Sequence, residues 1–125
     1  MVAEIRQPAI MQLLSLAGFD FAIIDNEHGP FNIETIADLS RAGRCYGVTP
    51  IVRAGFGLPY LAQSLDVGAQ GIMLPRVYTV EQVKEAVQIV KYPPQGCAAV
   101  HSTGATPTSS PAPCSTSWRA RIRKI

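Results

Sequence analysis

The chain has 125 residues, of which 47% are hydrophobic and 16% charged, and its formal net charge is +2. This composition suits one domain with a real core and excludes a disordered chain or a small disulfide-stapled peptide. Residues 1–96 contain seven basic and nine acidic residues, while the other four basic residues lie between Arg119 and Lys124. The positive charge therefore belongs to the tail, and the body does not suggest a nucleic-acid partner.

The three cysteines, Cys45, Cys97 and Cys114, show no C-x-x-C spacing. We find neither a signal-peptide pattern nor an apolar run of about 18 residues. These features predict a cytoplasmic protein with no membrane partner and no metal-thiolate site.

The first predicted elements are a helix and a strand. Pro8 suits the first turn of a helix, which Gly18 would end. The next segment, Phe21–Asp25, is an apolar run that stops at a carboxylate. Because it is apolar on both faces, it predicts a parallel strand that is covered on both sides.

The second unit repeats this order. Asn32 can cap a helix with an apolar face, and Gly47 would end it. Pro50–Arg53 then predicts a second short strand.

A third unit follows, with a helical pattern over residues 58–66 that Gly68 would close. Gly71–Arg76 predicts the third strand. After it, Thr79-x-x-Gln82 is a capping-box signal in front of an apolar helical pattern.

Strands that alternate with helices predict βα units on a parallel sheet, with the carboxyl ends of the strands at one edge. Functional groups of such sheets lie at that edge. We therefore expect one polar cluster, made up of Asp25, Glu27, His28, Arg53 and Arg76. The alternatives are a capped turn whose polar groups bond to loop backbone, and, for Arg76, a rim or interface charge.

Four segments carry a family resemblance: residues 17–30, residues 50–53, residues 65–75 and residues 91–94. In order and spacing they resemble the HpcH/HpaI aldolase family, class II 2-oxo-acid aldolases related to citrate lyase β subunits. The resemblance runs from about Val2 to Gly96. It implies a (β/α)8 TIM barrel and a lyase activity.

The reaction implied by the resemblance is metal-dependent aldol cleavage or condensation. A divalent ion (Mg²⁺, Mn²⁺ or Co²⁺) chelates pyruvate, and a 2-oxo-3-deoxy or 4-hydroxy-2-oxo acid is cleaved reversibly to pyruvate and an aldehyde. Such chemistry needs positive charge beside the developing enolate and a base for the hydroxyl proton.

The resemblance also implies residue roles. Arg53 would supply the fixed positive charge, for which a planar, always ionised guanidinium is suited. His28 would belong to the acid-base apparatus, and Asp25 would orient the substrate site. Glu27 would do the same or bind a water molecule outside the first layer of contacts.

Asp66 matches the family as well, but it lies at the end of a predicted helix, at the pole opposite the strand ends. The resemblance implies that it pairs with the catalytic histidine of a neighbouring subunit. The carboxylate would then fix the imidazole tautomer, and a homo-oligomer would be part of the active site.

The sequence also departs from the family. Residues 1–96 supply about four of eight βα units, a half-barrel, and the usual metal ligands on later strands have no counterpart. Residues 97–125 form a tail that is rich in Ser, Thr and Pro and then basic. We expect this tail to be translated out of frame; the alternative is a natural linker whose basic end docks on an acidic partner or membrane.

Three functions remain open from the sequence. The first is a 2-oxo-acid aldolase whose activity is impaired in this short chain. The second is a catalytically silent half-barrel, whose two open sheet edges predict dimerisation or aggregation. The third is a citrate-lyase-like acyl-CoA lyase, which the Glu27-His-Gly-Pro30 tip disfavours.

Overall fold

The computed structural model describes residues 1–54, 58–96 and 98. These residues form three strands and four helices in an alternating order. In chain order they are α1 (Ala9–Leu16), β1 (Phe21–Asp25), α2 (Ile33–Cys45), β2 (Thr49–Arg53), α3 (Leu58–Asp66), β3 (Gly71–Met73) and α4 (Val80–Val90). The predicted α/β class is confirmed.

The strands form a parallel sheet in the order β1-β2-β3. Asp25 pairs in register with Arg53, and Arg53 pairs with Met73, so these three residues form one row at the carboxyl edge. On the other side of β1, Val2 forms a single parallel bridge with Ile24. Since sequential parallel strands are joined by right-handed crossovers, the connecting helices lie on one face of this sheet.

The helix-end signals of the sequence act as predicted. Gly18, Gly47 and Gly68 have φ angles of 82°, 75° and 112°, the left-handed region in which glycine carries no Cβ penalty. The Asn32 side chain accepts a hydrogen bond from the Thr35 amide at the start of α2. At α4, Thr79 and Gln82 form the complete capping box.

The main core lies between the sheet and helices α1 and α2. Ala22, Ile24 and Val52 point from the strands toward this side and are buried. They meet Met11 of α1 and, from α2, Ile36 and Leu39, which are fully buried. Burial of such side chains contributes roughly 1.5–3 kcal/mol each, so this layer is what fixes the strand register.

Two details of the predicted strands are wrong. The strand Phe21–Asp25 is not covered on both sides: Phe21 is 54% exposed and Ile23 is half-buried, because the described helices cover only one face. The third strand ends at Met73 rather than Arg76. Pro75 offers no N–H for strand pairing, and Arg76 turns the chain with a φ of 52°.

The predicted tail, residues 97–125, lies outside the described residues except for Ala98. The amide of Ala98 donates to the Lys91 carbonyl at 3.0 Å, which keeps this residue beside the end of α4. Among the described residues, none of the helices has the length and apolar character needed to cross a membrane.

The capping box of α4 gives a stability prediction. Thr79→Ala removes the acceptor for the Gln82 amide, now 3.3 Å from the Thr79 hydroxyl, and should lower the free energy of unfolding by about 1 kcal/mol. Thr79→Ser keeps the acceptor and should stay close to the original protein. Urea unfolding followed by circular dichroism checks this, and equal stability of the alanine and serine variants would contradict it.

Candidate functional site

Asp25 organises the tip of β1. Its side chain is buried, and its Oδ1 accepts hydrogen bonds from the amides of Glu27 at 3.0 Å and His28 at 3.3 Å. These bonds fold the chain back over the carboxylate, as aspartate commonly does in turns. Asp25 therefore sets the direction in which the next two polar side chains leave the sheet.

Gly29 completes this turn because only a glycine fits there. A Cβ at this position would collide with the carbonyl oxygen of Asp25 and lie 2.6 Å from that of Ala3. The close packing of three backbone segments thus holds the Glu27 and His28 backbone in place.

Arg53 reaches the same tip from the neighbouring strand. Its Nη1 lies 3.3 Å from Asp25 Oδ2, and its Nη2 pairs with Glu27 Oε2. The Arg53 carbonyl also accepts the Asn26 amide at 2.9 Å, which ties the loop after β1 to β2. The arginine side chain remains 23% exposed, so it can still reach a small anion.

Glu27 is the centre of the cluster, since its side chain has no exposed surface. Arg53 lies against Oε2, and Arg76 Nε lies 3.0 Å from Oε1. Neither carboxylate oxygen has a partner with hydrogen-bond geometry, so charge rather than directed bonding holds it. A buried carboxylate is stable only when it is paired, and here two guanidinium groups divide that task.

His28 faces outward beside this ion cluster. Its side chain is 58% exposed, and its Nε2 lies 3.6 Å from Glu27 Oε2. An accessible imidazole next to a buried carboxylate can accept a proton from a bound molecule. His28 is therefore the side chain at this edge that could act as a general acid or base.

The structure brings together the five residues expected at this edge: Asp25, Glu27, His28, Arg53 and Arg76. The direct contact of Arg76 with Glu27 is one that the sequence did not reveal. The sequence indicated only that Arg76 and Glu27 share a strand edge. It did not indicate the left-handed turn at Arg76, which accompanies the contact.

Asp66 does not join this cluster. It is exposed at the end of α3, five residues before β3 begins, and so lies toward the amino ends of the strands. There it lines a cavity of about 240 Å³ together with Ile89 and Val90 of α4.

The described cluster does not fit a divalent metal ion. No group of three or more His, Cys, Asp or Glu side chains able to hold one occurs within residues 1–54, 58–96 and 98. The two carboxylates at the edge, Asp25 and Glu27, are already balanced by guanidinium groups. A divalent cation would have to compete with two fixed positive charges for them.

Fold and site together define an α/β protein with a charged cluster at the carboxyl ends of parallel strands. A sequence profile of the HpcH/HpaI aldolase/citrate lyase family matches residues 2–110. The chain belongs to this family, which confirms the resemblance found in the sequence, although the match extends to residue 110, beyond the expected boundary at Gly96.

Curated relatives support the same assignment. The chain is 38% identical over 101 residues to a hydroxypyruvate/pyruvate aldolase of Paraburkholderia phytofirmans, covering 80% of this chain and 38% of that protein. It is 39% identical over 92 residues to a 4-hydroxy-2-oxo-heptane-1,7-dioate aldolase of Escherichia coli, covering 73% of this chain and 35% of the relative. The chain thus spans little more than a third of the length of the curated relatives it matches.

Solved structures agree with the fold. An HpcH/HpaI aldolase from Desulfitobacterium hafniense superposes with a TM-score of 0.78 at 28% identity, covering 99% of this chain and 46% of that structure. The citrate synthase SbnG gives a TM-score of 0.74 at 35% identity, covering 79% and 41%.

The buried carboxylate gives a second prediction. Glu27→Gln removes the charge that both arginines face, so it should lower the free energy of unfolding by roughly 2–4 kcal/mol. The matched control is Glu34→Gln, a neutralised carboxylate at an exposed position in the first turn of α2, for which less than about 1 kcal/mol is expected. Chemical denaturation measures both, and a Glu27 variant as stable as the control would contradict a structural role of the cluster.

Proposed function

We propose that this chain provides the arginine- and histidine-bearing part of the active site of a 2-oxo-acid aldolase. The observation that carries the proposal is the arrangement of Arg53, which is held between Asp25 and Glu27 yet partly accessible, with exposed His28 beside it. A fixed cation next to a proton acceptor is the pair of groups that an enolate-forming site requires.

The reaction follows from these two groups. Arg53 binds the carboxylate of a 4-hydroxy-2-oxo acid through charge-assisted hydrogen bonds. His28 takes the proton of the C4 hydroxyl, the C3–C4 bond breaks, and its electron pair moves to the C2 carbonyl as pyruvate enolate while C4 becomes an aldehyde. The protonated His28 then gives its proton to C3 of the enolate, which yields pyruvate and restores the neutral imidazole, and the reverse sequence is condensation.

Asp25 and Glu27 serve this reaction indirectly. Asp25 anchors the guanidinium and the turn that carries His28. Glu27 lies 3.6 Å from the imidazole and keeps the two arginines at this edge. The relatives named as aldolases of 4-hydroxy-2-oxo-heptane-1,7-dioate and 4-hydroxy-4-methyl-2-oxoglutarate support a 2-oxo acid that carries a second carboxylate.

The divalent cofactor expected for the family does not fit the described residues. We therefore infer that these residues do not supply its ligands, and we assign no step to it. The sequence has no Asp or Glu after Glu85, so the remaining residues of the chain offer no carboxylate ligand either.

We further infer that the three strands belong to an incomplete (β/α)8 barrel, a half-barrel over residues 1–96. The chain covers only 38% and 35% of the length of the two aldolases compared above, which supports this inference. In a homo-oligomer, the exposed Asp66 would pair with His28 of a neighbouring subunit, which fits its distance from the strand ends within one chain. A cytoplasmic location agrees with the exposed free thiol of Cys45.

A catalytically silent half-barrel is the second candidate. It is favoured by the lack, within the described residues, of a group of three or more His, Cys, Asp or Glu side chains able to hold a metal ion. In that case the cluster would keep its anion-binding ability without turnover.

Exchange of the pyruvate methyl protons in D₂O tests the proposal, because exchange requires enolate formation. The full chain should bind pyruvate and exchange its protons. Arg53→Gln should weaken binding about tenfold or more, since a charged hydrogen bond contributes roughly 1.5–3 kcal/mol. His28→Ala should keep binding and slow exchange about 100-fold.

Arg41→Gln is the matched control, because it removes an exposed arginine whose ion pair within the described part of the chain is with Asp38 on α2. It should change neither value. Binding without exchange in the original chain would favour the silent half-barrel, and no binding of pyruvate would contradict both candidates.

Metal titration separates the candidates further. The chain should bind Mg²⁺ and Mn²⁺ weakly, with dissociation constants above about 1 mM, since hard cations need several uncommitted oxygen ligands. Isothermal titration calorimetry with and without pyruvate measures this. Tight, pyruvate-dependent binding would show that the chain carries its own ligands and would exclude the silent half-barrel.

A further inference from the structure

Arg76 is the member of the cluster to which no role in the reaction has been given. Its Nε lies 3.0 Å from Glu27 Oε1, on the opposite side of the carboxylate from Arg53. The two arginines thus share one buried anion, although they come from the ends of different strands.

The backbone at Arg76 indicates that this contact is maintained against a local preference. Its φ of 52° is in the left-handed region, which residues with a Cβ rarely adopt. Such conformations persist where surrounding contacts fix them, and they concentrate at functional sites. The ion pair with Glu27 is a contact that can fix this one.

We propose that Arg76 is a positioning residue that sets the availability of Arg53 by taking up part of the charge of Glu27. The carboxylate has two oxygens, and each arginine now occupies one of them. Without Arg76, the whole charge of Glu27 would act on Arg53, which also faces Asp25. Arg53 would then be held between two carboxylates and would attract an incoming anion less strongly.

Arg76 differs from Arg53 in its exposure and in its position on the backbone. Its side chain is 51% exposed, against 23% for Arg53, and its backbone lies after β3 rather than within a strand. Arg76 therefore adjusts the site from its rim, whereas Arg53 is fixed by strand pairing. The predicted effect on anion binding rests on the proposed function. The predicted coupling between Arg76 and Arg53 does not.

The test uses the full chain and two readouts. The first is the ¹⁵N–¹H signal of the Arg53 guanidinium, which reports its surroundings without any ligand. The second is pyruvate affinity, measured by NMR titration. Arg76→Gly removes the guanidinium and suits the left-handed backbone, Arg76→Lys keeps the charge, and Arg41→Gln controls for loss of one surface charge.

Arg76→Gly should shift the Arg53 signal and weaken pyruvate binding about three- to tenfold, which lies in the lower part of the range of coupling between residues in contact. Arg76→Lys should shift the signal less and in the same direction, and Arg41→Gln should change neither readout. In the Glu27→Gln background, where no charge is left to share, the further change Arg76→Lys should not move the Arg53 signal.

An Arg53 signal that is unchanged in both Arg76 variants would overturn the proposal, whether or not pyruvate binds. If Arg76→Gly does not fold, Arg76→Lys decides by the same criterion. A shifted signal together with no pyruvate binding by the original chain would support the coupling and reject the proposed function.

Discussion

The structure of the site depends on one buried carboxylate. Glu27 has no exposed side-chain surface, and it lies between guanidinium groups that follow two different strands. An ionised carboxylate in this position is unfavourable unless positive charge accompanies it. The position of Glu27 therefore determines where the guanidinium groups of Arg53 and Arg76 lie. The turn that Asp25 caps therefore determines the geometry of the whole edge.

Much of the fold was predictable because local signals and the global pattern agree. The glycines that end helices, the Asn32 cap and the Thr79–Gln82 capping box act through nearest neighbours and can be recognised in a single sequence. The one-sided burial of β1 was not predictable from its apolar residues, because burial depends on how many layers surround the sheet. Pro75, which offers no N–H for strand pairing, was a sequence signal for the early end of β3, whereas the left-handed backbone at Arg76 has no sequence signal of its own.

The sequence predicted which residues form the candidate site but not which of them contact each other. Parallel strands place Asp25, Glu27, His28 and Arg53 at one edge, and the structure finds them there. Which carboxylate faces which arginine depends on side-chain direction. Asp25 lies opposite Arg53 in register, yet Arg53 also pairs with Glu27, two residues beyond the strand.

The charge balance of the edge decides what the described cluster can bind. Two carboxylates and two guanidinium groups cancel, so the cluster has little net attraction for a cation and keeps a partly accessible arginine for an anion. In the proposed aldolase site, the cluster would therefore act on the substrate carboxylate and on protons. A metal ion in such a site would need other carboxylate ligands, because those of Asp25 and Glu27 are already paired with arginine.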